Sequence, residues 1–330
     1  MEEYVVKWLR PSDKTLVDIS ARVGAISTTD DLDSFSVRMQ LDIQQSTVDY
    51  FHQPIGISCG DRITLYKDGN LVIDGQVNTV SGDYRTKQTL TVYDDGVVLT
   101  KNDLIIQFNG VSAPKAISQL CDRLGIPVGE MPNLATTITH VYHESVSNIL
   151  SSILDAVAAE TGKRYFVRVR GGKLCVLERG GSKVTAYYQP AGNLTPANIA
   201  LNIASPTVNR GIEDLRNAVT IYSDQDASAR IYAEASDAAS IERFGKRMKV
   251  DTYSDKDGAT ASQKARTLLS DLNTEKEEIS VKTFGADNVT SGVLLDFNTA
   301  EFSGTFLVQA VSKQYAHPHT MDLTLRRWNA

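Results

Sequence analysis

The chain has 330 residues, 42% of them hydrophobic and 22% charged, with a formal net charge of -6; its pI is near 5.5 and its mean hydropathy -0.21. This composition excludes disordered and fibrous classes, and the acidic balance argues against a protein that grips nucleic acid by neutralising phosphates. Single cores stop growing at about 250–300 residues, so two or three domains are expected.

The opening MEEYVVKWLR lacks the basic start and apolar middle of a secretory signal, so no signal peptide is expected. The apolar runs are far shorter than the roughly 18 residues of a spanning helix, so no membrane insertion is expected. Cys59, Cys121 and Cys175 form no CxxC pattern and read as free thiols.

From Tyr4 to Phe108 the chain reads as short strands. Phe35, Val37, Met39 and Leu41 alternate after an expected acidic turn at Thr29-Asp30-Asp31. Arg62 to Lys67 and Leu71 to Val80 flank Lys67-Asp68-Gly69-Asn70, a hairpin signal in which Asp-Gly suits positive φ. The region 1–109 is expected to be a first β-barrel module.

At Gly110 the period changes. Ser112-Ala113-Pro114 starts a helix bearing Ile117, Leu120, Cys121 and Leu124 on one face and stopping at Gly125. A second runs from Ser145 to Gly162 with Val146, Ile149, Leu150, Ile153, Leu154 and Val157 inward, followed by a hairpin about Gly171-Gly172. Residues 110–181 therefore read as a helix-helix-hairpin insert, and 182–204 as a linker or a strand returning to the first module.

After Ser205-Pro206 strands resume at Ala218–Tyr222 and Arg230–Ala235. Helices follow at Ala238–Phe244 and Ala259–Asn273, and strand signals return from Ile279 onward. Residues 205–330 are expected to form a second β-barrel module with two helices. The fold class is α+β, mainly β: two similar antiparallel barrel-like modules with a small insert between them.

The two β-rich regions echo each other. Gly60, Ile63, Leu65, Ile73, Gly75, Val80-Ser81, Tyr84, Thr89, Leu90 and Val92 find counterparts in Gly292, Leu295, Phe297, Phe302, Gly304, Val311-Ser312, Tyr315, Thr320, Met321 and Leu323. A two-residue length difference preserves the inward face of a strand, because side chains alternate sides. Three copies of a chain with two such modules would present six around an axis.

Motifs that suggest chemistry carry structural readings. Gly56-Ile57-Ser58-Cys59-Gly60 fits the GxSxG string, but the alternating Asp61–Tyr66 that follows is a strand rather than the required helix. His140 and His143 are spaced to share a helix face, and His317 and His319 flank Pro318; neither pair has a neighbouring Cys or a clear third ligand, and the HExxH string is absent. Asp94-Asp95 and Glu277-Glu278 are read as solvated surface pairs, and Gly180-Gly181 as a turn. No catalytic, cofactor-binding or metal residue is assigned.

The order of β-module, insert and second β-module, the segment Ser240–Arg247, and the closing runs Gly304–Ser312 and Met321–Leu325 resemble the XkdQ/YqbQ-type baseplate hub proteins of contractile phage tails and phage-tail-like bacteriocins. The resemblance implies a non-enzymatic homotrimeric ring without cofactor, pseudo-six-fold, joining a hexameric tail tube to a trimeric central spike. A tape-measure protein and a LysM-type tail protein are further implied partners. Its implied location is the baseplate of a virion or tail-like particle assembled in the bacterial cytoplasm. A peptidoglycan hydrolase of the cell envelope and a surface-binding module are the alternatives; the latter needs an exposed aromatic platform, for which only Trp8 and Trp328 are at hand.

Overall fold

Alternating inward residues and turn glycines produce a mainly β molecule in the computed structural model, which describes residues 3–50, 53–83, 85–188, 195–201, 203–223, 231–253, 260–299 and 302–328. The first third contains β1 (Tyr4–Leu9), β2 (Leu16–Asp18), β3 (Val23–Asp31), β4 (Arg38–Gln44), β5 (Arg62–Lys67), β6 (Asn70–Asp83), β7 (Lys87–Tyr93) and the single turn α1 (Val97–Thr100). Then come β8 (Asp103–Ser112), α2 (Ala113–Leu124), β9 (Thr137–Ser145), α3 (Val146–Thr161), β10 (Tyr165–Arg170) and β11 (Lys173–Glu178). The remainder holds β12 (Tyr187–Tyr188), β13 (Ala197–Asn198), β14 (Ile203–Gly211), β15 (Ala218–Ser223), β16 (Ile231–Ser236), α4 (Ala238–Phe244), β17 (Met248–Tyr253), α5 (Ala261–Leu272), β18 (Lys276–Phe284), β19 (Leu294–Asn298), β20 (Ser303–Gln314) and β21 (Thr320–Arg327).

The expected pair of barrels is replaced by one continuous sheet. Among the described residues its 12 strands follow the open order β14-β18-β21-β20-β3-β4-β7-β6-β5-β1-β2, with β19 paired to β20, and the path does not close. The joint is the β3–β20 pairing, in which Val311 faces Asp30 and Gln314 faces Ser27. Thr29-Asp30-Asp31, expected as a turn, therefore lies in a strand. The β propensity of the residues before it and the ladder to β20 outweigh the turn preference of the acids.

Within this sheet one strand order occurs twice: β3-β4-β7-β6-β5 and β14-β18-β21-β20-β19. A 3₁₀ turn precedes each first strand, Ser20–Arg22 and Ile199–Leu201. Asn78 is an extra residue in β6, between the pairs Val77–Val92 and Thr79–Thr91, and Gln309 is extra in β20, between Val308–Leu325 and Ala310–Thr324. Such bulges twist a strand locally. The Gly60 N–H donates to the Val77 carbonyl at 2.8 Å and the Gly292 N–H to the Val308 carbonyl at 2.9 Å, so both hairpins are entered in the same way.

Details of the sequence echo need correction. Gly75 pairs with Ile63, but Gly304 pairs with Phe297, and Phe306 opposes Leu295 in Gly75's place. Val80 faces Leu90 whereas Val311 faces Leu323, so the β20–β21 turn is two residues longer and Asp322, not Thr320, matches Thr89. Tyr84 lies outside the described residues. Tyr315 packs in the core of the first half, with Met39, Leu41 and Ile63.

β8 pairs with β9 rather than with the first half, and together with α2, α3 and the β10–β11 hairpin it encloses its own core about Phe108, Ile117, Ile149 and Ile153. The Ser145 hydroxyl caps α3 by accepting from Asn148 N–H at 3.3 Å, and Gly162 ends the helix at φ 72°. Ser112 occupies the N-cap of α2, yet its hydroxyl makes no cap bond, leaving Pro114 as the start signal. The segment after β11 joins the second half: Lys183 bridges to Leu294, and Ala186, Ile199 and Ala200 lie in that half's core.

Between β14 and β18 sits a smaller unit. β15 is central, antiparallel to β16 and parallel to β17, and α5 covers one face through Ala265. α5 also touches the insert, where Gln263 Nε2 donates to the Glu160 carbonyl of α3 and Asp271 pairs with Arg164.

Candidate functional site

Where the two halves and the insert meet, charged side chains are withdrawn from water. Arg168 on β10 is 4% exposed. Its Nε and Nη2 donate to Asp30 Oδ1 at 3.1 and 2.8 Å, and Nη2 reaches Ser291 Oγ and the Asp31 carbonyl, each at 2.6 Å. Nη1 also donates to the Ser34 carbonyl. Ser291 N–H completes the knot by donating to Asp30 Oδ2 at 2.9 Å. A buried guanidinium is tolerated only when its donors are matched this closely.

Two clefts flank this knot. The larger, about 450 Å³, is lined by Arg62, Asp74, Asp94, Asp95 and the Gly171-Gly172 turn. Arg62 forks between Asp74 at 3.0 Å and Asp95 at 2.9 Å, and hydrogen bonds to these two acids hold its charge more firmly still. Asp94 is buried, so the adjacent acids are not the solvated surface pair expected; burial pushes its pKa up to about 6 although its Oδ1 accepts the Gly96 N–H at 3.0 Å.

The smaller cleft, about 320 Å³, contains Lys67, Lys313, Asp287 and Tyr315. Lys67 Nζ pairs with Asp287 at 2.9 Å and lies 3.4 Å from His319 Nδ1. His319 is fully buried against the Tyr315 ring, 4.9 Å between centroids. Burial depresses the Lys313 pKa to about 8 and raises that of Tyr315 to about 12.

The GxSxG serine sits in a turn. Ser58 Oγ lies 3.4 Å from the Gly56 carbonyl, its N–H donates to Asp61, and Asp61 accepts Trp8 Nε1–H at 2.9 Å. The motif is a strand-entry turn organised by a buried carboxylate, and β5 follows. His140 and His143 lie on β9, not on a helix, so their odd spacing sends them to opposite faces. Among the described residues no three His, Cys, Asp or Glu gather as a metal site.

Glu277 is clamped by Arg210 and Arg327, each at 2.7 Å, rather than freely solvated. Gly180 provides a turn at φ 71°, where any Cβ would meet the Trp328 ring at 2.8 Å. Trp8 is buried. Neither tryptophan makes an exposed platform. Among the described residues no helix is long and apolar enough to cross a membrane.

Arg168, Asp287, Ser291 and Lys313 are absent from the sequence reading, and Asp30 and Lys67 enter it only as turn residues, yet part of the signal was there. Lys67 continues the inward set Ile63, Leu65 on β5, and Lys313 stands between Val311 and Tyr315 on the inward face of β20. A lysine in core parity is the sign of a buried charge.

A model of the YQBQ-like family matches residues 27–326. No curated protein matches in a sequence search. Among solved structures the chain is similar to the 43 kDa tail protein of prophage MuSo2 from Shewanella oneidensis, at 14% identity over 98% of each chain with a TM-score of 0.68. It is similar to the tail protein from Neisseria meningitidis, at 13% identity, 99% of this chain, 96% of the other and TM-score 0.67. The prophage tail protein gp18 from Listeria monocytogenes follows at 10% identity, 98% of this chain, 94% of that one and TM-score 0.62. At such identities these structures share the fold.

Proposed function

The chain belongs to the YQBQ-like family, and from that premise we propose that it is a structural hub protein of a phage-tail baseplate, working by shape rather than by chemistry. Three copies form a ring, each contributing two similar arcs of sheet, so that one face matches a six-fold tail tube and the other a three-fold central spike. The tape-measure protein and a LysM-type tail protein are further neighbours, and the particle assembles in the bacterial cytoplasm.

The observation that carries this reading is the repeated strand order, with matched bulges at Asn78 and Gln309, welded by the β3–β20 ladder. A chain that holds two like arcs in one sheet cannot hinge freely between them, which suits a rigid collar. The buried charges support a mechanical role too, since Arg168, Asp30 and Ser291 are spent on each other. Electron microscopy of the purified ring or of tails containing it tests the proposal. Three-fold averages with six similar lobes are expected, and a two-fold particle overturns it.

A further inference from the structure

The smaller cleft has a charge surplus that the fold does not use. Two ammonium groups, Lys67 and Lys313, 6% and 7% exposed, enter it from the inward faces of β5 and β20. One carboxylate, Asp287, answers Lys67. Lys313 Nζ donates to the Asp287 main-chain carbonyl at 3.2 Å, and among the described residues no carboxylate pairs with it. Asp30, the other acid on the wall, is occupied by Arg168 and Ser291. The Thr28 and Tyr315 hydroxyls, 3.3 Å apart, add a polar corner, while Val37, Leu71, Ile73, Val289 and Val311 make the other walls apolar.

A buried ammonium without a paired carboxylate is costly, and an anion seated beside it offsets part of that cost. We propose that this cleft binds a small monocarboxylate carried on a short aliphatic chain, its carboxylate held by Lys313 and Lys67 and its chain against Val289 and Val311. One surplus positive charge matches a monoanion. A phosphate dianion would overcompensate it and would bring a fully hydrated tetrahedral group against valine and leucine walls. The inference is independent of the baseplate reading.

The test is calorimetric titration of the full chain with sodium butyrate at pH 7 and constant chloride, with inorganic phosphate in parallel. Saturable butyrate binding is expected, at least tenfold tighter than phosphate, and at about ten times its Kd butyrate raises the melting midpoint by about 2–3 °C. Lys313→Met reduces butyrate affinity at least tenfold. Because that variant changes a core position, lysine dimethylation with carbon-13 NMR supplies a second readout in the unaltered sequence: the Lys313 methyl signal titrates at higher pH with butyrate than without. No saturable butyrate binding, phosphate binding as tightly, an unmoved Lys313 signal, or a folded Lys313→Met chain that binds equally well overturns the proposal.

Discussion

Arg168 holds Asp30 across 138 residues of chain, 2.8 Å from Nη2 to Oδ1, and thereby fastens the insert hairpin to the strand that joins the two halves of the sheet. Five acceptors surround that guanidinium, counting Oδ1 of Asp30, the carbonyls of Asp31, Ser34 and Val167, and the Ser291 hydroxyl.

Arg168→Met leaves Asp30 and three carbonyls short of donors in a buried site. Removing one partner of a buried ion pair costs about 3–5 kcal/mol, and urea denaturation is expected to show a loss of that size. Arg168→Lys recovers only part of it, because an ammonium cannot present the planar fork. A loss below about 1 kcal/mol, the range of exposed pairs, contradicts the role assigned here.

Gly60 and Gly292 open the two equivalent hairpins at φ 94° and 86°, yet their alanine variants are expected to differ. A Cβ at Gly60 meets only the flexible Gln76 amide at 3.9 Å, whereas one at Gly292 would lie 2.4 Å from Phe166 Cζ. Both changes pay the left-handed strain of about 1 kcal/mol, and overpacking adds about 1–3 kcal/mol at Gly292 alone. Thermal melts of the two variants rank them directly; equal losses would refute the tight seat of Phe166.

Much of this organisation was readable from residue order, and the exceptions have physical causes. α3 and the β10–β11 hairpin emerge where period and punctuation place them, because Ser145, Gly162 and Gly171-Gly172 act locally. The closed barrels do not emerge, because the β3–β20 ladder links residues some 280 positions apart (311 − 30 = 281 for Val311 and Asp30) and no local signal encodes it. Asp94 is read from sequence as a solvated acid and Asp30 as a turn residue for a related reason: their partners, a turn N–H and a distant arginine, appear only on folding.

Asp94 makes stability depend on pH. Its folded pKa, about 6, exceeds the unfolded value of 3.8 because burial disfavours the charge. The native state therefore holds more protons than the unfolded state between those values, so stability falls as pH rises from 4 to 6 and stays low above. The effect is on the order of 2–3 kcal/mol. Asp94→Asn is expected to flatten that slope, gaining stability at pH 8 and little at pH 4 in paired urea titrations.

The non-enzymatic reading turns on Ser58. Its hydroxyl lies at a strand-entry turn and touches only the Gly56 carbonyl among the described residues, so Ser58→Ala should change stability by no more than about 0.5 kcal/mol. Zymography on bacterial cell walls is expected to show no clearing by the parent chain. Clearing that Ser58→Ala abolishes would replace the hub with a hydrolase.

The oligomer itself offers the most direct prediction. A sheet open at β14 and at β2 leaves two strand edges at opposite ends of its path, and exposed edges invite pairing unless assembly or charge blocks it. Pairing of either edge with its own copy makes a two-fold dimer, whereas β14 of one chain against β2 of the next is a head-to-tail contact, which closes as a ring whose order is set by the arc each subunit spans. The proposed hub requires the second arrangement, with six lobes from three chains. Mass photometry of the chain, alone or with tail-tube and spike proteins, is expected to give three copies; a stable two-copy species would overturn the head-to-tail ring.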